Sequence, residues 1–555
     1  MKAIEYRDYQ IRCHDAIFEK WRTHSSTLAV LPVGAGKTVI FGKVIQTMQP
    51  LRALVLAHRA ELIYQARDRI YEATGLSVGI EMADSSASHD MIRDEVVVAT
   101  VQSMNSRNRM SRFRPLDFGL VVIDETHHAT ADSYRRIINH FKAGNPRIKI
   151  LGVTATPKRH NEEALGQIFE SIAFSWGILD GVSEGWLVDV AAQRIVVESL
   201  DLSNLHVQRG DFNQAELEAI LEAEKNVQGI CHPSLEVIYG LAPHALTCLP
   251  PDQWTMFLQG LNRTPRRAIM FTASVKQAEM ACSIFNRVMP GVADWLCGKT
   301  DKDRRKEILE RFKTGQTSVV VNCAVLTEGY DNPYVEVILM ARPTLSLGHY
   351  EQMVGRSTRP LPRTVDGLFT KEERLAAIQA SDKKFCRIID FVGNTGKHKL
   401  VCPVDILGGR VSPEARLRAQ GELAKGVPKM ICRTLSNAEA AIKREQREAA
   451  ERARRIEEER KKALVAKSHF SVHEIDPFDK WSSHSQDIKK DWTGKGPSAL
   501  LLRPKQVNVL RKAGYNPAAI PLGYGKKLVG EILHKWYPDK YPLGKEGNGR
   551  TNNGR

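Results

Sequence analysis

The chain has 555 residues, 42% of them hydrophobic, and a formal net charge of +16 at pH 7. That is apolar material for about three or four domains of ordinary size, which excludes a disordered chain or a small disulfide scaffold. The nine cysteines form no C-x-x-C pair, which argues against a thiolate zinc site and fits a reducing cytosol. No apolar run reaches the roughly eighteen residues of a membrane span, and "MKAIEYRDYQ" lacks the apolar core of a signal peptide, so a soluble intracellular protein is expected.

In chain order, "TLAVLPV" (27–33), "RALVLAH" (52–58), "EVVVAT" (95–100), "GLVVIDE" (119–125) and "KILGVTAT" (149–156) are near-continuous apolar runs. Such runs, separated by helical patterns, predict parallel strands covered on both faces, hence a doubly wound α/β domain over residues 1–200. Residues 201–264 read as a helical connector or insertion ("NQAELEAILEAEKN", "CLPPDQ") to which no chemistry attaches. A second series, "RAIMFTA" (267–273), "GVADWLC" (291–297), "TSVVVNC" (317–323) and "VEVILMA" (335–341), predicts a second α/β domain over 265–400.

Residues 401–480 form a linker whose stretch 436–467 carries acid-to-base pairs at Glu448/Arg452, Glu451/Arg455, Glu457/Lys461 and Glu458/Lys462 but almost no a/d apolar seam, as in a solvated single helix. Residues 481–555 read as a small basic helical module. From 480 onward there are 15 Lys/Arg against 5 Asp/Glu, a balance suited to polyanions or simply to a charged surface. Its core, 498–541, suggests two or three short helices broken at "GYNP" and "PLGYG". Lys505, Arg511, Lys512, Lys526, Lys527 and Lys535 are interleaved there with Tyr515, Tyr524 and Trp536. Those aromatics either stack on unpaired bases or fill a small core.

Two stretches carry chemistry. The strand "TLAVLPV" runs through "GAGKT" (34–38) into a helical pattern, the context of a phosphate-binding loop. Backbone N–H groups close round phosphate, Lys37 reaches the β/γ oxygens and the Thr38 hydroxyl ligates Mg²⁺. The strict G-x-x-x-x-G-K-[ST] spacing would need glycine at 31, where Leu31 stands. The second stretch is "LVVIDETHHAT" (120–130). Asp124 and Glu125 emerge at a strand's carboxyl end, where Asp124 can hold Mg²⁺ through water and Glu125 can orient or deprotonate the attacking water. A metal site on His127 and His128 competes weakly, because adjacent helical residues point about 100° apart.

The ordered set "VGAGKT", "DETH", "VTATP", "TEGYD" and "QMVGRSTR" resembles the motif series of superfamily 2 helicases and translocases of the DExH type, over roughly residues 1–400. The resemblance implies two tandem RecA-like domains. It further implies that Arg7 and Gln10 read adenine, and that Gly34, Gly36, Lys37, Thr38, Gly329 and Asp331 bind the nucleotide with Mg²⁺ held at Thr38 and Asp124. Asp124, Glu125 and His127 would form motif II, with His127 relaying the γ-phosphate state. Thr154 and Thr156 would couple hydrolysis to movement, and Gln352, Arg356 and Arg359 would reach across the cleft. Arg59, Thr100, Gln102, Ser103, Thr272, Ser274 and Thr327 would grip a nucleic-acid backbone, although Ser and Thr at strand ends are also common helix caps.

Residues 320–360 are most similar to RadD-like bacterial and phage DNA repair helicases. The cysteine-rich zinc module frequent there is not expected, since Cys402 and Cys432 stand alone. The implied function is an ATP- and Mg²⁺-dependent DNA helicase or translocase of repair, recombination or replication in a bacterial or phage-infected cytosol. The tail could meet a single-strand-binding or other replication protein. An RNA helicase, the translocating subunit of a restriction-type complex, and a nucleotide-switched scaffold without turnover remain as alternatives.

Overall fold

Nearly every apolar run becomes a fully buried strand, because parallel strands sandwiched by helices have no solvent face. The computed structural model describes residues 5–58, 60–83, 85–87, 94–126, 132–155, 166, 168–208, 211–327, 329–394, 400–407, 411–423, 429–467, 503–515 and 522–541. The chain divides into two compact units, Met1–Ala450 and Glu451–Arg555.

The first sheet of the larger unit is built from α1 (Asp8–Trp21), β1 (Ser26–Val30), α2 (Lys37–Thr47), β2 (Arg52–Ala57), α3 (Ala60–Thr74), β3 (Val78–Glu81), β4 (Val96–Thr100), α4 (Val101–Met104), β5 (Phe118–Asp124), α5 (Asp132–Gly144), β6 (Lys149–Thr154) and β7 (Ser171–Ser175). Its order is β3-β4-β2-β5-β6-β1-β7, with every pairing parallel. Successive side chains go to opposite faces. Ala53, Val55 and Ala57 join one buried cluster while Leu54 and Leu56 join the other. The carboxyl ends of β1 and β5 lie one strand apart, with β6 between them, which brings "GAGKT" beside Asp124.

A short helix α6 (Ile178–Ser183) leads to β8 (Asp189–Asp201), β9 (Val207–Gln208), β10 (Asp211–Phe212), α7 (Gln214–Leu221) and α8 (Glu224–Tyr239). There follow β11 (Ala268–Thr272), α9 (Val275–Val288), β12 (Ala293–Leu296), β13 (Val319–Cys323), β14 (Val337–Met340), α10 (Leu347–Val354), α11 (Lys371–Ala380), β15 (Phe385–Asn394) and β16 (Lys429–Met430). The second sheet has the order β12-β13-β11-β14-β15-β8-β16, parallel except for β16.

The boundary expected at residue 200 therefore falls inside β8, whose hydrogen bonds run to β15 of the second sheet. The stretch expected as a connector packs into the same body. Leu217, Leu221, Val227 and Leu235 share a core with Ala268 and Met270 of β11. Asp211 accepts from the Leu345 N–H and the Thr344 hydroxyl, each at 2.8 Å.

The charged stretch lies within one helix, α12 (Ile431–Lys467), bearing exposed pairs such as Arg454–Glu458 at 3.3 Å. Within the smaller unit, α13 (Pro504–Lys512) and α14 (Leu522–Trp536) share a small apolar core of Leu510, Leu528, Val529 and Ile532. Helix α14 runs through Gly523 and Gly525, where the sequence suggests a break; both lie in its first turn, where their carbonyls accept from N–H groups of the following turn. Tyr515 and Trp536 stay 46% and 39% exposed, so among the described residues the core is aliphatic and these two aromatics are not its filling; the Tyr524 side chain lies outside the described ones. Among the described residues no helix is long and apolar enough to cross a membrane.

Candidate nucleotide site

The loop after β1 is fixed at its start by the Leu31 N–H, which donates to the Thr154 carbonyl at the end of β6 (2.9 Å). Gly34 (φ +86°) and Gly36 (φ +72°) then take left-handed conformations that side chains resist. Space is also closed: a Cβ on Gly34 would lie 2.9 Å from Arg359 Cγ, and one on Gly36 2.8 Å from Gln10 Nε2. Gly36 caps α2, so Lys37 and Thr38 open that helix with its free N–H groups facing the loop.

Helix α1 braces the loop from outside. The Tyr9 hydroxyl and Gln10 Nε2 both donate to the Ala35 carbonyl (2.8 and 3.4 Å), and Gln10 Oε1 accepts from the Arg7 N–H (3.0 Å). The Arg7 guanidinium lies 4.8 Å from the Trp186 ring and 3.5 Å from Asp366.

At the end of β5, Glu125 has φ +50°, an unusual conformation for a carboxylate residue and one that functional turns tolerate. Its N–H donates to Asp124 Oδ1 (3.0 Å), and its carboxylate accepts from Lys37 Nζ at 2.7 Å with both side chains nearly buried. Burial by itself would depress the Lys37 ammonium. The Glu125 and Asp124 charges outweigh that effect and hold its pKa above the ordinary lysine value.

The second domain contributes α10 and the loop after it. Gln352 is buried, and a Cβ on Gly355 would come 2.6 Å from Val33 Cβ, so this turn sits directly on the phosphate loop. Arg359 packs against Gly34 and pairs with Asp331. Arg356 donates to the carbonyls of Tyr330 and Thr327, each at 2.6 Å, bracing "TEGYD" while its charge still reaches Lys37. Gly329 (φ +74°) lies against Leu62 of α3. Lys37, Gln10, Val33, Glu125, Arg356 and Arg359 are thus brought together from four separate stretches.

Sequence reasoning missed three residues here. Glu351, next to Gln352, is buried near Lys37 and Glu125. Burial, partly offset by Lys37 and reinforced by Glu125, pushes its carboxyl up to about 8. Lys383 is buried and donates to the carbonyls of Pro333 and Arg359, both at 2.7 Å. Trp186 is gripped between Arg7 and Arg374, the latter 4.0 Å from its ring, and donates its Nε1–H to Asp8 (2.7 Å). Glu351 stands one residue before the motif "QMVGRSTR", and nothing local distinguishes Lys383 from Lys384.

The expected backbone-gripping residues are placed differently. The Thr100 hydroxyl accepts from the Ser103 N–H (3.2 Å) and Ser274 from the Gln277 N–H (3.0 Å), capping α4 and α9. The buried Thr272 hydroxyl donates to the Asn322 carbonyl (3.1 Å). Gln102 is exposed and Ser103 half-buried. Arg59, His127, His128 and Thr156 lie outside the described residues. Among the described residues no three His, Cys, Asp or Glu side chains cluster to hold a metal.

Residues 3–159 match the family model "Type III restriction enzyme, res subunit", and residues 252–360 match "Helicase conserved C-terminal domain". The chain is 29% identical over 401 residues to IRC3 of Saccharomyces cerevisiae, named as an ATP-dependent helicase, covering 70% of this chain and 51% of that protein. It is 30% identical over 367 residues to irc3 of Schizosaccharomyces pombe, named as a mitochondrial ATP-dependent helicase, covering 64% and 55%. It is 24% identical over 375 residues to "DNA 3'-5' translocase XPB2" of Sulfurisphaera tokodaii, covering 64% and 79%. The chain thus spans about half the length of the two yeast relatives. With two parallel-sheet domains meeting at a phosphate loop and the motif series in order, the chain belongs to the superfamily 2 helicases and translocases.

Proposed function

We propose that the chain is an ATP-driven motor on DNA. The observation that carries this reading is Arg359 of the second domain packed on Gly34 of the phosphate loop, beside the Lys37–Glu125 pair. A phosphoryl group bound at Gly34–Thr38 would draw Lys37 to its oxygens and release Glu125 toward the attacking water. Arg359 and Arg356 would meet charge on the transferring oxygens only when the two domains are together, so hydrolysis becomes domain motion. In this reading Arg7 and Gln10, which brace the phosphate loop from α1, would contact the base, with Gly329 and Asp331 contributing from the second domain.

The donor set fits Mg²⁺. Thr38 and Asp124 offer two oxygen ligands and, among the described residues, no carboxylate cage of the kind a larger cation would use, leaving positions for water and phosphate. When bound, the ion neutralises charge on the β- and γ-phosphates. Among the expected track contacts, the exposed Gln102 can meet a backbone without disrupting a cap, whereas Ser103 is held by the Thr100 hydroxyl. Thr100, Thr272, Ser274 and Thr327 serve first by shaping the loops around them. DNA is favoured by the archaeal relative's name. The basic tail with exposed Tyr515 and Trp536 suits an added grip on single strands or on a repair or replication partner. Nine free cysteines suit a reducing compartment, a bacterial or phage-infected cytosol being one.

The test is steady-state ATPase of the wild type, Lys37→Ala and Glu125→Gln with no nucleic acid, single-stranded DNA, duplex, forked duplex and RNA. DNA should stimulate the wild type. Lys37→Ala should fall to background, and Glu125→Gln should lose about 10²–10⁴-fold in turnover while still binding ATP. Full activity in either variant refutes the assignments, and preferential stimulation by RNA moves the protein to RNA remodelling.

A further inference from the structure

The insertion after β8 encloses a cavity of about 680 Å³ between residues 193–196 of β8, helix α8 and the start of β15, on the second domain and away from the nucleotide cleft. Three guanidiniums line it, Arg194 on β8, Arg266 just before β11 and Arg387 on β15; the last two are the ones that burial burdens. Arg266 spends Nη1 on the Val237 carbonyl at the end of α8 (2.6 Å). Arg387 lies 4.5 Å from the Phe385 ring, and among the described residues no carboxylate stands within ion-pairing distance of it.

The acids nearby are already engaged. Glu236, which lines the cavity, accepts from the N–H groups of His244 and Leu246 at 2.9 Å each, and Glu336 accepts from the Arg267 N–H at 3.2 Å. Glu336 attracts both arginines without cancelling their burden. Burial and the neighbouring Arg266 push Arg387 down to about 10, and burial with Arg263 lowers Arg266. Two partly desolvated like charges facing one cavity are relieved by an anion in it.

We propose that this cavity is a second anion site, separate from the phosphate loop, that takes a small phosphomonoester. The planar guanidinium forks of Arg266 and Arg387 match phosphate oxygens. Ile195, Val196, Val237 and Leu241 give the ester's organic part an apolar wall, and His232 and Thr247 add polar groups. The volume falls in the range of roughly 300–1,000 Å³ usual for small-molecule sites.

The experiment is calorimetric titration of inorganic phosphate and of ribose 5-phosphate into the full chain held in saturating Mg–ADP, which keeps the phosphate loop occupied. The wild type should bind both saturably, the ester more tightly. Arg387→Gln should weaken both by about tenfold or more, as expected for loss of one charge-assisted pair. Val196→Trp, at a position 65% exposed and so tolerant of change, should block the cavity while both arginines remain. Absence of saturable binding in the wild type, or wild-type affinity in either variant, overturns the proposal. Thermal melting of each variant identifies any that has simply unfolded, and the other then decides.

Discussion

Glu351 shows how much one buried acid can report about a site. Its folded pKa of about 8 lies above the ordinary 4.5, so the folded chain keeps a proton that the unfolded chain gives up. The stability contributed by that proton is fully present below about 4.5 and is lost as pH rises through about 8. Glu351→Gln, permanently neutral, should therefore melt close to the wild type at pH 5 and distinctly above it at pH 9. Melting curves at the two values that shift in parallel would show that Glu351 does not carry the proton. Lys37, Asp124, Glu125 and Arg359 could be picked out from sequence because each sits in a short motif with a mechanistic spacing. The environment of Glu351 is assembled from Lys37 and Glu125 of the other domain, and no local pattern encodes such a meeting.

Loops inherit their precision from what holds them. Lys383 ties the Pro333 and Arg359 carbonyls together, and the Thr358 carbonyl also accepts from the Val188 N–H at 2.8 Å, so the backbone bearing Arg359 is pinned twice. Lys383→Met keeps the length and burial but removes both bonds. Turnover should drop about tenfold or more with little change in the KM for ATP, since the loss falls on the arginine proposed to act in the transition state. Lys383→Arg should restore part of it, whereas unchanged turnover in Lys383→Met would show that the pin is dispensable. Most strands of both sheets were legible because parallel strands are continuous apolar runs, but β8 and its partner β15 were not picked out. "DVAAQRIVVESLD" mixes charges into its second half, and its membership of the second sheet depends on pairing with β15, far along the chain. β3 and β7 escaped for a related reason: as edge strands they are half-exposed and carry no buried run.

At the level of the whole molecule, the small basic unit is the clearest separable part. Ending the chain just before residue 480 removes 15 Lys/Arg and 5 Asp/Glu, a loss of +10. ATPase without nucleic acid should be unchanged, while DNA affinity should fall and depend less steeply on salt, because fewer counterions are released. An unchanged salt slope would mean that the tail does not touch phosphates. The motor itself carries a further mechanical consequence. Since β7 closes the first sheet and β8 already belongs to the second, residues 176–188 form the covalent link between the two halves, and the insertion, sharing a core with the second sheet, is carried by the second half. Trp186 sits in that link, clasped by Arg7 from the first half and Arg374 from the second. If Arg7 turns toward a bound base, its hold on Trp186 changes, and the stiffness of the joint becomes tied to whether fuel is loaded.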